Sequence, residues 1–233
     1  IGYVVHPLDR NTANANVSDA ARDARERLRE RLDGWRREHG QTRLPIDVIA
    51  LASARGVRVE AEADEPLVRR RFAVAHDLVR TLLNDDELCD WGASVLLMPD
   101  ELTWSYRTDQ GLRAVERLAR DAKVSLEAAG LRLVERSGTP AAFVVADAVG
   151  RDLSVRYARV RDLRVLIPRG AAVAPASSLA RAARSGRRER AVEPLPGDSQ
   201  QEFHVEAKSY PTGRGTGARE RVLALAWPAQ HAR

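Results

Sequence analysis

The N-terminal half of the chain has the spacing of amphipathic helices, with apolar residues three and four positions apart. Ser18 is a good N-cap for a helix that runs to about His39, and Gly40 is expected to end it. The predicted buried seam of this helix is Ala20, Ala24, Leu28, Leu32 and Trp35. The polar residues 1–16 before it are predicted to form a disordered terminus.

Four further elements are predicted between Pro45 and Pro99. They are a helix from Pro45 to about Arg55, a short strand over 57–61, a helix over 66–84, and a helix over 87–98 that stops at Pro99. The helix after Pro45 is expected to bury Ile46, Ile49 and Ala50. An aspartate in the turn at 84–86 is expected to cap the helix that follows.

Two helices joined by a short turn are predicted between Thr108 and Glu135. The first has one apolar face, and Ser125 is placed to cap the second. This shape fits a helix-turn-helix, and the alternative is a helical hairpin that only packs. The basic side chains that would reach DNA phosphates are Arg113, Arg117, Arg120, Lys123 and Arg132.

After Ser137 the spacing changes to short β-type runs separated by Gly, Pro and Asp turns. The predicted strands are 142–146, 153–159, 163–167, 202–207 and 222–226, with one helix over about 175–184. The basic cluster 184–190 and the glycine-rich stretch 212–217 are predicted to be exposed loops. The fold class is therefore α+β, with a domain boundary near residue 137.

Composition narrows the functional classes only slightly. The net charge is +5, and only Lys123 and Lys208 are lysines, so the arginine bias is typical of GC-rich coding and is weak evidence for nucleic-acid binding. No stretch approaches the ~20 apolar residues of a membrane helix, and no signal peptide is visible. With a single cysteine, Cys89, these features predict a cytoplasmic protein.

The stretch RFAVAHDLVRTLL, residues 71–83, carries the strongest chemical signal. A zinc-peptidase helix reads H-E-x-x-H, with two histidines one turn apart as ligands and a glutamate as general base. Here the positions read His76, Asp77, Leu78, Val79 and Arg80. Arginine keeps its proton in proteins and offers no lone pair, so Arg80 cannot be the second ligand.

Several segments together resemble the ImmA/IrrE metallopeptidase family, in particular its radiation-response regulators. The similar segments are LPIDVIALASARGVRVE, the His76 helix, ELCDWGASVLLMP and LARDAKVSLEAAGLRLVE. The resemblance implies a zincin-like peptidase domain over 17–104, a helix-turn-helix-like region over 105–137 and a GAF-like sensor domain over 138–233. It also implies a zinc endopeptidase that cleaves a helix-turn-helix repressor in a stress response.

Carried over by position, the resemblance makes His76 the first zinc ligand and Glu87 the third, with Asp77 at the base position and Arg80 at the second ligand position. Spacing adds an objection, because His76 lies ~12 Å along its helix from the turn while Glu87 follows that turn directly. In a tight antiparallel pair His76 would face Ala93–Ser94. An Arg80–Glu87 ion pair is the expected structural substitute for zinc.

Three hypotheses follow from these residues. The favoured one is a regulatory pseudopeptidase that keeps a repressor-binding fold, has absent or weak zinc, and senses a small molecule through its C-terminal domain. The second is a working metallopeptidase whose second ligand is Asp85, Asp86 or Asp90. The third is a DNA-binding regulator that uses the hairpin at 112–135. The residues alone leave the enzyme assignment open.

Overall fold

Helices fill the first half of the chain and strands the second, as the hydrophobic spacing predicts. The computed structural model describes residues 19–58, 66–83, 85–149, 152–197, 201–212 and 219–229. Within them, eight α-helices and a five-stranded antiparallel sheet confirm the α+β class. The predictions for residues 1–16, for 59–61 and for most of 212–217 lie outside the described residues.

The chain forms two compact units. Among the described residues, the helical unit comprises those within 19–106 and 114–132, and the sheet unit comprises those within 107–113 and 133–229. The chain therefore passes from one unit to the other inside the predicted hairpin, and the domain boundaries near 104 and 137 stay predictions. Among the described residues, no helix has both the length and the apolar character that a bilayer crossing requires.

The helices agree closely with the periodicity. They are α1 (Asp19–Glu38), α2 (Val48–Ala54), α3 (Leu67–Arg80), α4 (Asp86–Leu97), α5 (Asp100–Thr103), α6 (Leu112–Ala122), α7 (Leu126–Glu135) and α8 (Ser178–Ser185), with a 3₁₀ helix at Thr108–Gln110. The seam of α1 buries Leu28, Leu32 and Trp35, whereas Ala20 is exposed. The Asp85 carboxylate accepts from Leu88 N at 3.2 Å, so the capping aspartate before α4 is confirmed.

Helix α2 begins three residues later than predicted, and its buried face differs. The cap is Asp47, whose side chain accepts from Ala50 N at 3.0 Å, so the helix can begin only after this residue. The buried residues of α2 are consequently Val48, Leu51 and Ala52, while Ile46 is buried from the segment before the helix. Ala50, which was predicted to face inward, is exposed, and Ile49 is half-buried, so the predicted face is rotated by about a third of a turn.

A buried arginine connects three segments of the helical unit. Arg71, in α3, donates from Nη2 to Ile46 O at 2.8 Å and to Ala122 O at 3.2 Å. Burial lowers the pKa of this guanidinium, and the charge of Asp47 opposes that effect. The side chain therefore serves the last carbonyl of α6 and the chain ahead of α2 together, which is a structural role.

The sheet has the order β2-β1-β5-β4-β3 with every neighbouring pair antiparallel. Its strands are β1 (Ala141–Val149), β2 (Asp152–Arg161), β3 (Glu189–Pro194), β4 (Glu202–Thr212) and β5 (Arg219–Pro228). One face packs with α8 into a continuous apolar core that includes Val144, Phe203, Val205 and Ala224. The central strands β1 and β5 are buried on both faces, since Phe143, Val145 and Leu225 are fully inaccessible as well.

Two sheet predictions were wrong. Residues 163–167 form no strand, although Leu163, Val165 and Ile167 are buried and contribute to the core. Their alternation reports an extended segment packed on the sheet without ladder hydrogen bonds. Conversely, Glu189–Pro194 forms the edge strand β3, part of which was predicted to be an exposed basic loop. An edge strand buries little, so its charged residues concealed it.

Candidate functional site

Helices α3 and α4 bring His76 close to a carboxylate. Gly92 of α4 lies against α3 so tightly that a Cβ there would be 2.7 Å from Val79 Cγ1. This close approach in the middle of α4 brings Asp90 opposite His76, with Asp90 Oδ1 3.6 Å from His76 Nε2. His76 therefore faces Asp90, about one turn before the predicted neighbours Ala93–Ser94.

Asp90 occupies a half-buried environment. Burial raises the pKa of its carboxyl, the charge of His76 partly offsets that rise, and the charge of Asp86 adds to it. His76 also has Asp77 Oδ1 at 3.8 Å from Nδ1. Neither distance is a hydrogen bond, so the imidazole lies between two carboxylates at ion-pair range.

At the second ligand position, Arg80 forms an ion pair of its own, one turn along α3 from His76. Arg80, 52% exposed at its side chain, lies 3.4 Å from Asp86 Oδ1, and the Asp86 side chain is 79% exposed. Both members of this pair are exposed, and an exposed pair of this kind contributes only ~0–1 kcal/mol. Glu87 lies in the first turn of α4, and its side chain is outside the described residues, so an Arg80–Glu87 pair stays a prediction.

The described donors do not fit a catalytic zinc ion. Such a site needs three protein ligands within about 2.3 Å of the metal. Within the described ranges, no group of three His, Cys, Asp or Glu side chains converges in this way. His76 has Asp90 and Asp77 only at ion-pair range, and Arg80 brings a permanent positive charge to the same helix. No hydrolytic step can be derived from this donor set.

The helical hairpin has the predicted local structure. The Ser125 hydroxyl accepts from Ala128 N at 3.0 Å and caps α7, and Lys123 takes the left-handed conformation that ends α6. Its first face, Leu112, Val115, Leu118 and Ala119, is buried. These features support a packed hairpin whether or not it meets DNA.

The five basic residues of the hairpin have different environments. The prediction that Arg132 reaches a DNA phosphate was wrong, because its side chain is 3% exposed and bonds to Asp100. Arg117 lies over the Tyr106 ring at 5.4 Å, and Arg120 pairs with Asp121 at 3.3 Å. Lys123 is exposed in the turn. The remaining residue, Arg113, belongs to the sheet unit and lines a cavity there.

The sequence did not single out a charged cluster in the sheet unit. Glu206, only 2% exposed, accepts from Arg188 Nη1 at 2.7 Å and from Arg190 Nη2 at 2.5 Å. Arg190 lies directly across from Glu206 in the β3–β4 ladder. Two features of the sequence could have indicated this cluster. Glu206 stands at an internal position of a predicted strand, and Arg188 and Arg190 are two residues apart, a spacing that puts both on one side of an extended chain.

Comparison with known proteins gives a similarity at the level of the fold. No family model matches the chain, and no curated protein matches it. Among solved structures, the fold is similar to that of a Mycobacterium tuberculosis transcriptional regulator, with a TM-score of 0.65 and 17% sequence identity. The match covers 87% of this chain and 76% of the other. At this identity the similarity establishes a shared fold.

Proposed function

We propose that this protein is a transcription-related regulator in which a peptidase-like helical unit serves as a binding module and no longer as a zinc peptidase. The observation that carries this proposal is the environment of Arg80. Its guanidinium stands at the second ligand position of the motif, is exposed, and pairs with Asp86. A fixed cation at that position repels Zn²⁺ and supplies no lone pair.

Two further observations support the regulatory part. The fold is shared with a protein described as a transcriptional regulator. The resemblance to the ImmA/IrrE family names a helix-turn-helix repressor as the partner of the helical unit, and a GAF-like sensor as the role of the sheet unit. The antiparallel sheet with one packed helix and a charged cavity supports a sensor role.

A working metallopeptidase is the second candidate, because one specific contact favours it. Asp90 lies 3.6 Å from His76 Nε2, and a carboxylate and an imidazole are both zinc ligands. In that case the described pair would need a third ligand such as Glu87. Stoichiometric zinc that survives dialysis, together with chelator-sensitive cleavage of a repressor, would distinguish this candidate.

The decisive measurement is the zinc content of the purified full-length chain after dialysis. The parent is expected to hold no zinc, and Arg80→His restores a histidine one turn after His76, on the same face of α3. Arg69→His is the matched control, since it adds a histidine on the same helix about 10 Å from His76, too far to share a metal. Zinc gained only by Arg80→His would identify Arg80 as the disabling residue. One tightly held zinc in the parent would refute the proposal.

A further inference from the structure

A cavity of about 310 Å³ opens in the sheet unit, and charged side chains dominate its wall. Its lining residues are Gln110, Arg113, Arg188, Arg190 and Glu206. They come from the segment just before α6, the start of α6, the entry to β3, and two adjacent strands. A volume near the lower end of small-molecule sites, roughly 300–1,000 Å³, is larger than a bare inorganic anion requires.

The buried carboxylate of Glu206 fixes two of the three guanidinium groups at this wall. Besides accepting from Arg188 and Arg190, its Oε1 accepts from Leu112 N at 3.3 Å, at the first turn of α6. Gly111 makes this approach possible, because a Cβ there would lie 2.2 Å from Glu206 Oε2, and its φ of +67° favours glycine independently. The anchored arginines therefore lose little side-chain freedom when a ligand binds.

The wall carries more positive charge than its own carboxylate neutralises. Arg113, Arg188 and Arg190 contribute three positive charges and Glu206 one negative charge, which leaves a net charge of +2. Arg113 is exposed and has no carboxylate partner among the described residues. A net charge of +2 in one concave site is complementary to a dianion.

We propose that this cavity binds a small organic phosphomonoester, with Arg113, Arg188 and Arg190 around the phosphate and Gln110 at the same wall. Guanidinium groups suit phosphate because their planar donors match its oxygens. This inference rests on the sensor part of the proposed function and names the chemical class of its ligand. It involves neither His76 nor the partner of the helical unit.

Arg190 also connects the cavity to an aromatic pair. Its guanidinium lies 5.5 Å from the centre of the Trp227 ring, and Trp227 stacks on His204 with ring centres 5.7 Å apart. The two rings are direct cross-strand neighbours on the same face as Glu206. The ring contact is a second restraint on Arg190, in addition to its ion pair with Glu206.

The test is isothermal titration of the full-length chain with ribose 5-phosphate, with ribose as the uncharged control. Arg113→Gln removes one guanidinium and leaves the Glu206 pairs intact. Arg187→Gln is the matched control, because it makes the same charge change at an exposed neighbour of Arg188 that does not line the cavity. Unchanged melting temperatures of the two variants establish that both fold.

We expect one ribose 5-phosphate per chain, no binding of ribose, at least tenfold weaker binding by Arg113→Gln, and less than twofold change for Arg187→Gln. Equal weakening by both variants would mean screening of general surface charge, and would overturn the site. Absence of binding heat up to a ligand concentration of roughly 10 mM, beyond the range of weak millimolar ligands, would also overturn it. Inorganic phosphate that binds as tightly as the sugar phosphate would refute the organic part of the assignment. None of these readings depends on zinc or on a repressor, so the proposed function is tested separately.

Discussion

Replacement of Arg132 by methionine tests whether this residue is a structural part of the helical unit. Arg132 donates from Nε to Met98 O at 3.2 Å and from Nη2 to Asp100 Oδ1 at 2.7 Å. Asp100 also lies 3.3 Å from Arg29, so one carboxylate connects α1, the start of α5 and α7. Methionine keeps most of the aliphatic volume of the side chain and removes only the donors.

The expected cost is worked from the bonds to Met98 O and Asp100. A buried carbonyl left without its donor costs about 1–3 kcal/mol, and a partly exposed ion pair contributes about 0.5–1 kcal/mol after solvent screening. Asp100 is 40% exposed and keeps Arg29, so it is not left as an unpaired buried charge. The sum is a loss of about 1.5–4 kcal/mol in the free energy of unfolding of the helical unit.

The assay is urea unfolding followed by helical circular dichroism, with Arg120→Met as the matched control. Arg120 lies on the same hairpin, is exposed, and pairs with the neighbouring Asp121, so its replacement should change the unfolding free energy by less than about 0.5 kcal/mol. Asp100→Asn and the double variant complete a cycle that isolates the coupling. If Arg132→Met unfolded at the same urea concentration as Arg120→Met, the structural assignment of Arg132 would be refuted.

Three more variants test the helical unit. Asp90→Asn should stabilise the fold at pH 7, because the raised pKa of Asp90 means that ionisation of this carboxylate destabilises the folded protein. The gain in stability should vanish as the pH falls below about 4, where the carboxyl is protonated in the folded and the unfolded protein. A difference in melting temperature that does not change with pH would contradict this prediction. Burial and a hydrogen bond to Asp121 raise the pKa of Tyr106 to about 12, and Tyr106→Phe should lower the free energy of unfolding by about 1–2 kcal/mol at pH 7. This deficit should narrow by about 1 kcal/mol at pH 11, because Tyr106 of the parent then ionises in the unfolded chain only. Urea midpoints of parent and variant at both pH values measure the change. Gly92→Ala should lower the free energy of unfolding by about 1 kcal/mol, since an overpacking cost of about 1–3 kcal/mol against Val79 exceeds a helix-propensity gain of about 1 kcal/mol. If Val79→Ala in the same chain did not restore part of the lost stability, the contact with Val79 would not be its cause.

Helices were predictable because caps and apolar spacing are local signals. Ser125, Asp85 and Gly40 mark helix ends in the sequence and do so in the structure. The strand at 163–167 was mispredicted because alternation records which side chains are buried and says nothing about a ladder partner. Edge strand β3 was missed for the converse reason, since its residues alternate between half-exposed and exposed.

The candidate sites depend on contacts that no local pattern contains. His76 could be singled out by its motif, but its neighbour Asp90 is decided by how closely Gly92 lets α4 approach α3. The Glu206 cluster joins residues 94 positions apart in the chain, from Leu112 to Glu206. Sequence spacing predicts which side chains share one element, and only packing brings two elements together.

Arginine content shows most clearly why a count of charges is a poor guide to partners in this chain. Arg36, Arg71 and Arg132 are 1%, 6% and 3% exposed, and they bond to backbone carbonyls and carboxylates inside the helical unit. Their charges hold segments together and are hidden from a solvent anion, so a net charge of +5 does not describe the surface that a phosphate meets. Arg113 differs in being exposed at a cavity whose other guanidinium groups are already oriented by Glu206. We therefore expect anion binding at the cavity where three arginines surround Glu206, because this single carboxylate cannot neutralise all three.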